Sequence, residues 1–455
     1  MSSEKVSRRQ FLKVAGTAAL GGVLAACAKA TPAPVPTPTT APAKPTPTTA
    51  PVAPTATPVP EKVTLRYGIH DLPEAREDMK KIFNAQYPNI EVTIEQVGEF
   101  STKVPAMAAA GNLPDVTRMW EAMVLDMGRS AQVIDLNPYV DATPDFHPED
   151  FIEAFWKYPL VAGKRVGIPD TSAPHICFYN KDILDEAGIP YPGKEKFTWE
   201  EFVEKARALS KPDEKFWGSE TIPLGWTYFN LKFIWQNGGD MFSPDYKECT
   251  LDKPEAYEAI QYWADILLAG DVMPSPTQAA GFGGELVTGQ LFQAGRVAFD
   301  RMGSWLNLSL QQAGVKFKWN VVPEPSKVQR GTILHTAFNA IATTSKYKDE
   351  AWKWVNCATS TEGVYPYLSY GKFPGVRRSV NEVKPYAWEI EGLEMDWDVI
   401  PQTGEYGRVL PGPAHEGEAG KLIGDALDAI YHGKQTAKEA FTEVAPKVTE
   451  VISAV

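Results

Sequence analysis

Cys27 closes the run Leu24-Ala25-Ala26-Cys27 at the end of an uncharged apolar stretch, and is the first residue placed for covalent chemistry by position as well as by type. The run resembles a bacterial lipobox, in which a peptidase cuts before the cysteine and the thiol carries a lipid. Ahead of it, Ser7-Arg8-Arg9-Gln10-Phe11-Leu12-Lys13 resembles a twin-arginine export signal, a route that carries proteins already folded. The apolar stretch is about a dozen residues, too short to span a bilayer as a stable helix, so residues 1–26 read as an address. Cys177, Cys249 and Cys357 show no CxxC spacing and no partnered histidine cluster, which points to neither a metal site nor a full disulfide framework. One bridge among them stays open, with no pair favoured. GxSxG, HExxH, P-loop and GxGxxG contexts are missing, and the carboxylates fall mostly on helical faces as a solvated coat, so no catalytic centre and no cofactor is expected.

The elements that would position a site begin after a tether. Thr31 to Pro60 hold 11 Pro, 9 Thr and 6 Ala with Lys44 as the only charge, a composition with nothing to bury. Such a linker, over residues 27–62 with the lipidated cysteine, is expected to be disordered and to reach on the order of 90 Å at about 3.1 Å per residue. The net charge of −12 becomes more negative when residues 1–26 leave with four cations and one carboxylate. A folded body of that charge excludes nucleic acid and anionic lipid as direct partners, and no later apolar run approaches membrane-spanning length. The lipid at Cys27 is thus the one expected membrane anchor.

In the body, Val63, Leu65 and Tyr67 alternate in one strand and Ile90, Val92 and Ile94 in the next. Met79, Ile82 and Phe83 mark a helix between them. A right-handed crossover makes these strands parallel. Thr198-Trp199-Glu200-Glu201 has the form of a capping box ahead of Phe202, Val203, Ala206 and Leu209. Asp252 with Pro254 opens a helix that buries Ala256, Ala259, Ile260, Trp263 and Leu267, and another from Lys348 buries Ala351, Trp354, Val355 and Ala358. This alternation predicts an α/β architecture with parallel sheets.

Six stretches then carry a family resemblance: "AMAAAGNLPDV" at 106–116, "VGIPDTSAPHICFYNKDILDEAGIP" at 166–190, "FTWEEFVEKARAL", "LFQAGRVAFDRMGSW" at 291–305, "IATTSKYKDEAWKWV" and "HGKQTAKEAF". Together they are similar to the ordered landmarks of the family 1 extracellular solute-binding proteins, and they run from near Val63 almost to the C-terminus. The resemblance implies two doubly wound α/β lobes joined by a hinge that the chain crosses three times, with a ligand held between them. It places lobe 1 at 61–170 plus 304–338 and lobe 2 at 171–303 plus 339–455. Closure of the hinge around ligand is the switching mode of periplasmic binding proteins.

By the same resemblance, Trp305 in Gly303-Ser304-Trp305 takes the place of an aromatic that stacks on ligand. Trp120-Glu121 stands at a strand end where the family places cleft residues, and open α/β sheets bind ligands at such ends. Tyr228 and Phe229 occupy the place of an adjacent aromatic pair ahead of a Gly-Gly, with Trp226 beside them and Asn230 offering an amide; Trp235 reads as core. His70 and Asp71 follow the first strand, Asp170 and Ser172 enter the first hinge crossing, and His335 precedes the second hinge segment. The chain departs from maltose-type relatives at Ala122-Met123, where those carry an acidic and a basic residue, and in "PGPAHEGEAGK", which lacks their late aromatic.

Thirteen Trp, 17 Tyr and 20 Phe independently suit a sugar, whose C–H face lies on an aromatic ring while its hydroxyls need polar partners. The expectation is a monomeric, lipid-tethered, extracytoplasmic receptor that hands a sugar or oligosaccharide to the permease of an ABC importer and does no chemistry. The alternatives are the same fold with a glycerophosphodiester or peptide as cargo, and an exported glycoside hydrolase, whose two carboxylates need a separation that sequence does not display.

Overall fold

The computed structural model describes residues 61–281 and 289–454, so the leader, Cys27 and nearly all of the Pro/Thr linker lie outside the described residues. Strand β1 (Val63–Ile69), the helix Pro73–Gln86 and β2 (Ile90–Gln96) form the expected unit, parallel and in register from Val63 opposite Ile90 to Ile69 opposite Gln96. Alternate residues Val63, Leu65, Tyr67 and Ile69 are buried, and the helix covers them with Ala75, Met79 and Phe83. Strand β3 (Val116–Trp120) lies parallel on the other edge of β1.

Two short strands, β4 (Leu160–Val161) and β5 (Lys164–Arg165), make a hairpin, and β6 (Ile168–Asn180) follows, with 12 of its 13 residues buried. Further along are β7 (Trp217–Ser219), β8 (Val297–Gly303), β9 (Trp319–Val322), β10 (Ile333–Ile341) and β11 (Arg408–Val409). The sheet order is β2-β1-β3-β10-β6-β8-β7, with β11 on β10 and β9 on β6. The sheet is mixed where parallel strands were expected, because β10 runs antiparallel to both β3 and β6, and β8 and β9 run antiparallel to β6. The directions of β8, β9 and β10 against β6 are set by pairings between segments far apart in the chain, which local alternation of strand and helix does not encode. Strand β6 changes partners along its length: Ile168 to Pro174 pair with β10, and His175 onward pair with β8 and β9.

The helices follow their apolar spacing. Thr198 caps Trp199–Leu209 by accepting from the Glu201 backbone N–H at 3.1 Å. Pro254–Ala269 and Lys348–Thr359 bury every residue expected of them. Cys177, Cys249 and Cys357 are free, buried thiols, so no bridge forms; burial pushes Cys249 up to about 11 and Cys357 up to about 12. Among the described residues no helix is long and apolar enough to cross a membrane, and no cluster suited to a metal ion is found.

Two carboxylates are buried in the core beside β7 and β8. Glu220 accepts from the backbone N–H groups of Leu291 (3.0 Å) and Phe292 (3.1 Å), while its Oε1 and the Oδ2 of Asp300 have no partner among the described residues. Burial and the neighbouring negative charge push Glu220 up to about 8; burial is also the main force that pushes Asp300 up to about 7. Folded values above the unfolded ones mean stability that is complete below pH 4 and lost as pH rises through 7 to 8. We expect the urea midpoint to fall between pH 5.5 and 8.5 by the equivalent of a few kcal/mol, since each tenfold difference in proton affinity between the folded and unfolded chain is worth about 1.4 kcal/mol. Asp300→Asn should flatten that fall; an equal fall in the variant would disprove the assignment.

Candidate binding cavity

A cavity of about 480 Å³ opens where strand ends meet, the position at which open α/β sheets take ligands. Its walls come from His70 and Asp71 after β1, Arg118 and Trp120 of β3 with the following Glu121, Thr171 and Ala173 of β6, and His335, Thr336 and Ala337 of β10. Trp226, Trp305, Tyr367, Phe373 and Leu410 close it.

One end is polar and built on Arg118. Its guanidinium grips Asp170 through two bonds of 2.7 and 3.1 Å, donates to Thr171 Oγ1 at 2.9 Å, and approaches Asp71 Oδ1 at 3.4 Å. Asp170 is 1% exposed, also faces Arg76 at 3.7 Å, and accepts from Asn339 at 3.2 Å, which in turn accepts from the Tyr67 hydroxyl at 2.7 Å. Tyr367 lies between the two arginines, its ring centroid 3.6 Å from Arg76 Cζ and 4.6 Å from Arg118 Cζ, and its hydroxyl donates to Asp71 Oδ2 at 2.7 Å. Burial acts upward on the Asp71 carboxyl, and the charge of Arg118, with the contact to His70 and the charge of Arg76, outweighs it and holds Asp71 well below the usual carboxylate range. Arg118 and Asp71 therefore face each other as an ion pair at neutral pH. The N–H groups of Arg118 are already committed to protein partners, so little donor capacity remains for an anion.

The other end is aromatic. Trp226 stacks on His335 with centroids 5.6 Å apart and planes 23° apart, and Trp305 meets the same imidazole at 5.4 Å. His335 Nδ1 lies 3.3 Å from Glu121 Oε1, which also accepts from the Thr336 backbone N–H at 2.7 Å. The position of Trp305 explains a glycine. A Cβ on Gly303 would fall 2.0 Å from Cζ3 and 2.1 Å from Cη2 of the indole, so the ring lies directly against bare backbone at the end of β8.

Behind this wall stands a row of buried charge. Lys232 Nζ donates to Glu324 at 2.7 Å and to the Arg301 carbonyl at 2.7 Å, and lies 3.4 Å from His175 Nδ1. Burial lowers Lys232 to about 8 and, with the adjacent ammonium, holds His175 far below its ordinary value. His175 touches Trp226, Trp305 and His335, so the aromatic wall rests on a neutral ring.

Of the residues expected from sequence, the structure brings His70, Asp71, Trp120, Glu121, Trp226, Trp305 and His335 to one cavity. It places the others behind the wall. Asp170 supports Arg118, and the Ser172 backbone N–H is bonded to the Pro374 carbonyl at 3.0 Å. Tyr228 is buried beside the helix Glu416–Tyr431, Phe229 lies 3.9 Å below the Lys232 ammonium, and Asn230 accepts from the Tyr431 hydroxyl. The turn Thr227–Asn230 directs these three inward and leaves Trp226 at the surface of the cavity. Arg118, Tyr367 and Phe373 were missed. Arg118 had a signal, since it shares a strand face with Trp120 two residues on. Phe373 and Leu410 supply apolar surface at the end where a late aromatic is lacking in "PGPAHEGEAGK".

Comparison with known proteins places the fold. A model of the bacterial extracellular solute-binding protein family matches residues 70–365. A binding protein of Brucella abortus is 23% identical over 383 residues, covering 83% of this chain and 89% of its own. The solved ABC substrate-binding protein Lmo0181 from Listeria monocytogenes, in complex with cycloalternan, superposes with a TM-score of 0.77 at 23% identity, over 86% of this chain and 99% of that one. The cyclic alpha-maltosyl-1,6-maltose binding protein from Arthrobacter globiformis gives 0.73 at 22% identity, over 87% and 100%. The family match spans most of the described body and the superpositions carry its fold: the chain belongs to the bacterial extracellular solute-binding proteins.

Proposed function

We propose that the cavity captures a neutral sugar or short oligosaccharide and that the protein delivers it to the permease of an ABC importer. The observation that carries this reading is the pairing of three tryptophans, Trp120, Trp226 and Trp305, with two carboxylates, Asp71 and Glu121, around one cavity of about 480 Å³. Indole faces take the C–H face of a sugar ring, and the buried Glu121 and half-buried Asp71 carboxylates take its hydroxyls and penalise a ligand that lacks them. The full commitment of Arg118 to Asp170, Thr171 and Asp71 argues against a phosphodiester or other anion. The Listeria protein in complex with cycloalternan and the Arthrobacter cyclic alpha-maltosyl-1,6-maltose binding protein support the same class.

In this reading the lobes are 61–170 plus 304–338 and 171–303 plus 339–455, closing about the change of partners in β6. The protein acts as a monomer without catalysis, exported by the twin-arginine route and held to the outer face of the cell membrane through Cys27. A thermal-shift screen of the whole chain tests the cargo. Maltose, maltotriose, arabino-oligosaccharides, glycerophosphodiesters and short peptides form the panel. A saccharide at a hundredfold excess over its dissociation constant adds about 2.7 kcal/mol to stability. Shifts confined to anionic ligands or peptides would overturn the sugar assignment, and recovery of a cleaved sugar would overturn the receptor.

A further inference from the structure

His70 stands between a tryptophan of the cavity and its charged end. The indole Nε1 of Trp120 donates to His70 Nε2 at 3.1 Å, and the rings meet edge to face with centroids 4.8 Å apart. An indole nitrogen is a donor only, so Nε2 must offer a lone pair, and the proton of the neutral ring sits on Nδ1. That Nδ1 is buried and has no partner among the described residues. The same Nε2 lies 3.3 Å from Asp71 Oδ2 and 3.4 Å from Arg118 Nη1. One nitrogen thus faces two donors, Trp120 and Arg118, and one acceptor, Asp71.

A proton on Nε2 would reverse every one of these contacts. The new N–H would bond to the Asp71 carboxylate and oppose the indole N–H of Trp120, which would lose its acceptor, and the imidazolium would repel Arg118. The charged groups around the ring are Asp71 on its own loop, Arg118 from β3 and Arg76 from the helix Pro73–Gln86, with Asp170 and the Tyr367 hydroxyl behind them. The helix Phe100–Ala109 presents the Phe100 ring, edge to face with centroids 5.4 Å apart. Burial, opposed by Asp71 and aided by Arg118 and Arg76, holds the imidazole below its ordinary value, so the neutral lock persists at pH 7.

We propose that His70 is a positioning residue for Trp120: neutral, it fixes the indole in the cavity wall, and protonated, it frees it, so that ligand is held at neutral pH and released in acid. The release half rests on the function proposed above; the lock itself does not. The test is fluorine NMR of the whole chain labelled with 5-fluorotryptophan, with the Trp120 signal assigned through Trp120→Phe and followed from pH 8 to 4.5. The other twelve tryptophan signals report whether the fold persists.

The Trp120 signal should move with a midpoint below 6.5. His70→Gln keeps an acceptor that cannot titrate and should abolish the movement, whereas His70→Ala should displace the signal at every pH. A Trp120 signal that stays fixed while the fold persists, or one that titrates unchanged in His70→Gln, would overturn the proposal. In the same samples, affinity for maltotriose should fall about tenfold per pH unit below the midpoint. A titrating lock with no saccharide bound by the chain would uphold the lock and overturn the cargo.

Discussion

Asp170→Ala should destabilise the protein by about 3–5 kcal/mol, the usual cost of leaving a buried charge without its partner. The carboxylate is 1% exposed and holds two guanidinium groups, bidentate to Arg118 at 2.7 and 3.1 Å and at 3.7 Å to Arg76. Without it Arg118 keeps Thr171 and the more distant Asp71 and His70, and Arg76 keeps no carboxylate, only the Met79 sulfur and the faces of Tyr67 and Tyr367. The polar end of the cavity should collapse with it, because Asp71 takes its position from Arg118 and Tyr367. Urea denaturation gives the measurement, and a second variant makes it specific. Asp170→Leu with Arg118→Met removes both charges of the closest pair, and should be less destabilised than Asp170→Ala, since apolar groups of similar volume replace an ion pair at little net cost. A loss below about 1 kcal/mol in Asp170→Ala would mean that solvent reaches this cluster and that its charges are not coupled.

Trp305→Ala should lower saccharide affinity by about 2 kcal/mol, roughly 30-fold, while leaving the fold intact. The indole is only partly buried and lies against Gly303, so its removal opens the cavity more than the core. Gly303→Ala is the companion experiment. A methyl group 2.0 Å from the ring must push it aside, and a stacking surface moved by an ångström or more should lose roughly tenfold in affinity with no chemical group deleted. Isothermal titration with the saccharide that gives the largest thermal shift measures both. If Gly303→Ala binds as wild type while Trp305→Ala does not, the ring contributes area but its placement is not critical. If neither variant changes affinity, the ligand lies elsewhere.

The parts of this architecture that were legible in the sequence are those written in short-range periodicity. The alternation at Val63, Leu65 and Tyr67 and the apolar faces of Trp199–Leu209, Pro254–Ala269 and Lys348–Thr359 depend on a few neighbouring residues, and the structure reproduces them. The antiparallel course of β10 depends on a pairing between distant segments, and nothing in "ILHTAFNAI" announces its direction. The site divides in the same way. Trp120, Trp226 and Trp305 were found by type and by resemblance, but whether a polar group near a strand end faces the cavity or supports it from behind is decided by which side of the backbone it leaves. Asp170 and Thr171 are adjacent, and the carboxylate turns to the buried arginines while the hydroxyl's residue lines the cavity. Tyr367 and Phe373 reach the site from far along the chain, where the sequence offers aromatic type and no indication of place.

The change of partners in β6 has a consequence for how the molecule comes into being. Pro174 sits opposite Leu334, about 160 residues later, and His175 sits opposite Gly303. The two long strands that line the cavity, β6 and β10, thus meet only across a wide gap in sequence, a pattern of high contact order that folds slowly and leaves edges bare in the meantime. A ribosome adding about 5 to 20 residues each second needs on the order of 15 to 60 s to travel from Val63 to Ile341. Until Ile341 has emerged, the nascent chain can complete β1, β2 and β3 but has no surface on which Trp120 and Trp305 face a common space. A truncated chain therefore offers aggregation-prone strand edges and no binding site, and full-length synthesis is the first condition for capturing anything.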